Sequence, residues 1–445
     1  MRGTIPYGLD VGPNDSVEDR QPEDLQESLP LEQPELEVMT PRQARITTFA
    51  SLRNREYRWL WLSTIAFFGG LQMQVVARGW LVYELTDSAF ALGMVSAAFG
   101  VPLLLFSLLG GTIADRVAKR NLIILSQVAN AAVTLVIAVL IATGNIEFWH
   151  LAGAAAVTGI CFIFIAPGRM ALISELVTPK ELLNAIALSS SGTNLTRIVA
   201  PALAGGLLAI IGTAGVYYLV VAMYLVSVVF MSRISRGAAP AARPGVSIWG
   251  GIAEGLRYLR HSPVMITLLT MAFIPIVFGM PYQSLMPVYA VDVLDVGETG
   301  LGLLMSMTGV GALIGSLGVA SLGDFRRKGV LLIGVGLLFG VGLAIFGLSH
   351  IYVLSLCILV VVGLSNAAYM TLNNTMVQSS APLEVRGRVM AIFMVTFALM
   401  PLGTLPIGYV AEAVGPAYAV SGGAVLVLVF ILAVAVLRPA VRRLT

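Results

Sequence analysis

Arg197 sits where a charge is costly. The 14 residues Ile198 to Ile211 after it are mostly apolar. As a helix they rise only about 21 Å, less than the roughly 30 Å of a hydrocarbon core. The guanidinium is therefore expected inside that core, where a charge costs at least about 2.5 kcal/mol. Ser190, Asn194, Arg197 and Pro201 recur at helical spacing and share one face. A fixed cation on such a face can orient a bound molecule or pair across a cavity. The alternative is a snorkelling side chain, or one packed on backbone carbonyls. Arg78, with Gln74 one turn before it, offers the same pair of readings nearer a helix end. Tyr282, Gln283, Asn366 and Asn373, with Asn374, are further candidates to line a cavity. Polar groups of this kind also join helices by hydrogen bonds.

The acids inform by absence. Fourteen lie beyond residue 50, and all fall in connections or at the ends of apolar runs. His150, His261 and His350 are peripheral too. No Ser/His pair or His/Asp/Glu cluster lies within an apolar run, which argues against an enzyme. Cys161 and Cys357 both fall inside apolar runs, which excludes a disulfide framework and a metal site. No Walker G-x-x-x-x-G-K-[ST] is present, which argues against ATP-driven chemistry. No cofactor is implied.

These residues are carried by membrane helices. The chain is 57% hydrophobic and 11% charged, against about 25% charged in a soluble domain. Twelve runs have the length to cross a bilayer: 59–83, 89–112, 121–143, 149–167, 183–211, 215–234, 264–290, 299–322, 329–348, 352–374, 389–412 and 417–437. They do not alternate as barrel strands would. Twenty-three of the 27 basic residues fall before, between or after these runs on one side; Arg169 is read as following the fourth run. The opposite connections carry none. Basic connections stay cytoplasmic, so both termini are expected there, in an inner-membrane protein. The net charge of +3 hides this asymmetry and implies no nucleic acid.

Residues 1–50 hold ten acids and little apolar content, the composition of a disordered cytoplasmic tail. No signal peptide is read there. Residues 51–235 and 263–445 then form two bundles of six helices each. The Ala/Pro/Gly-rich start of 236–262 suits a linker. Ile248, Ile252, Leu256 and Leu259, with Arg257 and Arg260, suit a helix on the inner membrane surface.

A polar turn joins the second and third runs: Gly111-Thr-Ile-Ala-Asp115-Arg116-Val-Ala-Lys119-Arg120. A weaker copy, Gly323-Asp324-Phe325-Arg326, lies half a chain later. Asp115 and Asp324 are 209 positions apart, as are Gly93 and Gly302. Such an internal repeat implies two similar bundles. With twelve spans and a long middle connection, this turn resembles the signature of the major facilitator superfamily over residues 51–440. Ala118 replaces a usual glycine, and Phe325 stands where the second copy would carry arginine. The resemblance implies an all-α carrier of two pseudo-symmetric halves. It implies that Gly111, Asp115, Arg116 and Arg120, with Gly323, Asp324 and Arg326, form a gate that latches the cytoplasmic side.

Two further stretches extend the resemblance. Pro201, Gly205 and Gly206 follow Arg197 in an element similar to the G-P-x-x-G-G of the family's antiporters, and make a bent, closely packed helix. Phe278-Gly-Met-Pro281-Tyr282 looks like the seventh span of the twelve-span efflux branch that includes macrolide and siderophore exporters. The implied activity is export of a small amphipathic molecule by alternating access, by a monomer in the bilayer. A lipid or lysolipid flippase on the same fold, and a signalling protein that does not transport, are the alternatives. The arginine that drug–proton antiporters carry early in the fourth span is missing. Protons stay one candidate for the coupling ion, with Glu84, Asp292 and Glu412 as the outer carboxylates that could serve.

The one-sided basic connections give a test of orientation. Single cysteines at Thr86, Gly144 and Gly297 are expected to react with a membrane-impermeant maleimide added to whole cells. One at Ala118 is expected to stay unlabelled until the cells are opened. Labelling of Ala118 from outside would reject the orientation.

Overall fold

Hydrocarbon offers no partner to backbone N–H and C=O groups, so an apolar chain satisfies them within helices. The computed structural model describes residues 49–114, 118–235, 257, 259–260, 262–322, 325 and 327–442; side chains at 107–114, 383, 384, 398 and 440 lie outside it. The acidic tail up to residue 48, most of the 236–262 linker, and Asp115, Arg116, Gly323, Asp324 and Arg326 lie outside the described residues.

Among the described residues, eleven helices are long and apolar enough to cross a membrane. They are α1 (Arg55–Thr86), α2 (Ala89–Ala114), α3 (Lys119–Ala142), α4 (Phe148–Leu176) and α5 (Leu182–Ser232). Then come α6 (Pro263–Val293), α7 (Gly297–Ser321), α8 (Lys328–Leu348), α9 (Tyr352–Ser380), α10 (Val385–Val414) and α11 (Pro416–Leu437). Their ends follow local rules. The Asn54 side chain caps α1 by accepting from the backbone N–H of Glu56 and Tyr57. Gly415, at φ 100°, precedes Pro416 at the first position of α11. Large apolar side chains such as Leu183 and Ile210 are 80% and 78% exposed. Exposed apolar surface on this scale faces lipid.

Helix α5 joins two of the expected runs, 183–211 and 215–234. It has 51 residues, and only Gly212 departs from helical geometry, at φ 68° and ψ 176°. Trp61 Nε1 donates to Leu188 O at 3.0 Å, and Ser63 Oγ lies 2.9 Å from Ser227 Oγ. A straight helix would hold Leu188 and Ser227 about 58 Å apart. Helix α5 therefore doubles back at Gly212, and its arms 182–211 and 213–232 both pack on α1. A turn this tight needs a positive φ, which glycine adopts at little cost.

The helices form two pseudo-symmetric bundles. In the first, α1 packs on both arms of α5, α3 packs on α4 and α5, and α2 packs on α4. In the second, α7 packs on α9, and α8 packs on α9 and α11. Polar groups pin each bundle from inside. Gln74 accepts from Tyr224 Oη at 2.7 Å and donates to Thr134 Oγ1 at 3.1 Å. Tyr369 Oη donates to Met271 O at 2.6 Å, and Asn373 Nδ2 to Leu268 O at 3.1 Å. Backbones also touch: a Cβ at Gly363 would stand 2.1 Å from Thr308 O.

Gly363→Leu is therefore expected to lower thermal stability strongly in detergent, since it wedges α9 from α7 inside one bundle. Gly212→Ala is expected to cost about 1–2 kcal/mol, the penalty for a side chain at positive φ. Equal melting of Gly212→Ala and the parent would show that the turn is not strained.

Candidate functional site

The end of the molecule that holds Arg55 and Leu437 is called here the terminal end, and the opposite end the far end. The bundles meet along two seams in the far half. In one, α5 meets α7: a Cβ at Gly205 would lie 2.5 Å from Glu298 O, and one at Gly302 would lie 2.5 Å from Pro201 O. In the other, α10 meets α2: a Cβ at Gly93 would lie 2.5 Å from Thr404 O, and one at Gly408 would lie 2.9 Å from Ala89 O. The seams repeat each other. Gly93 and Gly302 are 209 positions apart, while Pro201 and Thr404, like Gly205 and Gly408, are 203 apart. Only residues without a side chain let backbones approach this closely.

Polar clamps close the seams at their outer rim. Tyr83 Oη on α1 donates to the Asp292 carboxylate on α6. The Glu412 carboxylate on α10 accepts from Ser88 Oγ at 3.0 Å and from Phe90 N at 3.2 Å, at the start of α2. Ser306 Oγ donates to Ile198 O at 2.6 Å, deeper in. Behind this closure lies a cavity of about 60 Å³ lined by Arg78, Ser96, Gln283 and Ser284. The innermost glycine contacts between bundles are Gly100 on Pro401 and Gly309 on Arg197 O. Closer to the terminal end, no glycine contact links the bundles among the described residues.

A larger cavity of about 290 Å³ lies on the terminal side of that closure. Its wall is polar on the first arm of α5, with Ser190, Thr193, Asn194 and Arg197. Phe68, Ala166, Met170 and Ile173 from α1 and α4 give it an apolar side. Arg197 is exposed to this space. It has neither a hydrogen bond nor an ion pair among the described residues. Of the face read from the sequence, Ser190, Asn194 and Arg197 line this cavity, while Pro201 stands in the α5–α7 seam.

Arg169 lines the same cavity and corrects the sequence reading. It was expected in a connection, yet it stands within α4 and is 4% exposed. Its Nη1 donates to Thr64 Oγ1 at 2.5 Å, and its Nη2 to Ser63 O at 3.3 Å. The guanidinium lies 5.3 Å from the Phe67 ring and 5.8 Å from that of Phe68. Hydroxyls, a carbonyl and ring faces offset desolvation here, and no carboxylate does. The signal was present: Arg169 is followed by the apolar Met170-Ala-Leu-Ile173 before any acid.

The remaining candidates divide. Arg78 and Gln283 come together in the small outer cavity, from opposite bundles. Gln74, Tyr282 and Asn373 are buried within a bundle and do not line either cavity. Their polar atoms are used or enclosed by neighbouring helices, as in the alternative reading of such groups. Asn366 donates to Met280 Sδ at 2.8 Å. Pro201 and Gly205 stand in the α5–α7 seam, while a Cβ at Gly206 would meet nothing within 4 Å. Of the implied gate, Gly111 falls in the last turn of α2. Arg120 donates to Ser232 O at 2.6 Å, inside its own bundle. Lys119 pairs with Glu175 on α4, also within that bundle. An exposed pair of this kind contributes about 0–1 kcal/mol. Among the described residues, no group of three or more His, Cys, Asp or Glu could hold a metal.

A family described as "Transmembrane secretion effector" matches residues 46–443. The multidrug efflux pump Tap of Mycolicibacterium fortuitum is 26% identical over 358 residues, covering 78% of this chain and 87% of the pump. The staphyloferrin A transporter of Staphylococcus aureus is 24% identical over 364 residues, covering 80% and 90%. A POT family transporter in complex with a thioalcohol-conjugated peptide superimposes with a TM-score of 0.68 at 15% identity, covering 86% of this chain and 96% of that one.

The far closure predicts a change in access. In a variant lacking Cys161 and Cys357, a cysteine at Ser96 is expected to react slowly with an impermeant maleimide added at the far side. Asp292→Asn or Glu412→Gln is expected to raise that rate several-fold, because each removes a charged acceptor that ties the bundles together. Unchanged rates would show that the glycine seams hold alone.

Proposed function

This chain belongs to the transmembrane secretion effector family of the major facilitator superfamily, and on that premise we propose that it exports small amphipathic organic molecules. It is a secondary transporter that works by alternating access and not an enzyme. The observation that carries the proposal is the two-ended asymmetry of the structure. The bundles are sealed along symmetric seams at one end, and a partly polar, partly apolar cavity stands on the other side. Such a shape loads from the terminal end and releases at the far end once the seams part. The multidrug efflux pump among its relatives supports this direction.

The finer organisation belongs to the same proposal. Because α5 turns back at Gly212, its two arms cross separately, and the chain crosses the membrane twelve times. The basic connections put the terminal end in the cytoplasm of an inner membrane. Residues 51–235 and 263–445 are the two moving halves, joined by 236–262. Protons reach the carrier at Asp292 and Glu412, the carboxylates already in the far clamps. Protonation of either removes its charge and favours opening towards the outside. Arg120, released from Ser232, belongs to the latch that closes the cytoplasmic side in the alternate state.

Transport into inside-out vesicles tests the proposal, with a panel of radiolabelled amphipathic compounds and an imposed proton gradient. Accumulation that collapses with the gradient is expected. Arg197→Ala is expected to insert normally and to lose at least about tenfold in transport, and Arg197→Lys to recover part, since an ammonium lacks the planar fork. Wild-type transport by Arg197→Ala would reduce Arg197 to a snorkelling residue. Failure of the whole panel to accumulate would remove the exporter assignment.

A further inference from the structure

We infer that the inner cavity selects molecules carrying an anionic group, a carboxylate or a sulfonate, attached to an apolar body. The inference deepens the exporter reading and rests on it. Two guanidiniums, Arg169 on α4 and Arg197 on α5, line one cavity, and no Asp or Glu lines it. Neither arginine has an acidic partner among the described residues. The nearest carboxylate along α4, Glu175, is already paired with Lys119. An amphipathic cation would meet two like charges with nothing to offset them. An anion would meet both with no competitor.

The two arginines divide the task. Arg169 is immobilised by Thr64 and Ser63 and by the rings of Phe67 and Phe68, and its Nε is buried without a partner. It contributes a fixed field and little contact. Arg197 is exposed, unpartnered and flanked by Asn194 and Thr193, so its fork is free to take two oxygens of one anion. Phe68, Met170 and Ile173 face the apolar body. The polarity continues beyond the closure. Arg78 lines the outer cavity, again with no acid among its lining residues. An anion leaving Arg197 when the seams part would find the next cation on its way out. All three arginines lie on the first bundle, so charge recognition belongs to one half of the carrier.

The test is a matched series on the purified full chain in nanodiscs: tritiated 1-naphthylacetate, 1-naphthylacetamide and 1-naphthylmethylammonium. Equilibrium binding of each is measured to the parent, Arg197→Gln and Arg197→Lys. The parent is expected to bind the acid at least about tenfold more tightly than the amide, the worth of one charge-assisted hydrogen bond. The cation is expected to bind more weakly than the amide. Arg197→Gln is expected to bring the acid down to the level of the amide, and a melting temperature equal to the parent's shows that the protein is still folded. Arg197→Lys is expected to keep part of the preference. Equal binding of acid and amide by the parent, tighter binding of the cation, or an acid preference that survives in Arg197→Gln would each overturn the inference. The same compounds in inside-out vesicles separate the two readings. Uptake of amide and cation with no preference for the acid overturns the anion site and keeps the exporter. Selective acid binding without uptake of any compound keeps the anion site and removes the exporter.

Discussion

The architecture depends on two backbones coming within contact distance where the halves meet. In lipid, helix association cannot draw on the expulsion of water, because tails are as apolar as leucine. What remains is close packing, which is steep in distance. Gly93 against Thr404 and Gly302 against Pro201 put bare backbone on carbonyl oxygen, so the halves gain contact only in near-perfect register. A contact that is lost within an ångström gives the halves two states rather than a continuum. The clamps at Tyr83–Asp292 and Glu412–Ser88 sit where water can reach them, and so add a chemically addressable lock to a dry, geometric one.

The interior carries its charge on one half. Burying a guanidinium without a counter-ion is costly, and the structure offsets that cost in different ways at two places. At Arg169 it surrounds the charge with hydroxyls, a carbonyl and aromatic faces. At Arg197 it leaves the charge open to the cavity, where water or a bound molecule can solvate it. A chain that needed these residues only for packing would gain by replacing them with apolar ones.

Much of this was legible in the amino-acid order. The offset between Gly93 and Gly302 exposed the repeat, and the shortness of the stretch after Arg197 put that residue inside the expected hydrocarbon core. The face shared by Ser190, Asn194 and Arg197 followed from helical spacing alone. Two things were not legible. Gln74 and Asn373 have the composition of cavity residues, but which face of a helix meets the cavity depends on partners distant in sequence. Arg169 reads as part of a connection because helix α4 runs on past its apolar stretch to Leu176. The break between the runs 183–211 and 215–234 was legible, and Gly212 falls in it, although no polar loop marks it.

The position of Arg197 along its helix has a mechanical meaning. The first arm of α5 runs from Leu182 at the mouth of the cavity to the seam at Gly205, a lever of about 34 Å. If the seam acts as the fulcrum, a tilt of about 10° would swing the mouth by about 6 Å. Arg197 stands only about 12 Å from that fulcrum and would shift by about 2 Å. The mouth can therefore open and shut while the grip near the pivot stays almost in place, so cargo would be held through most of the stroke and let go only at its end.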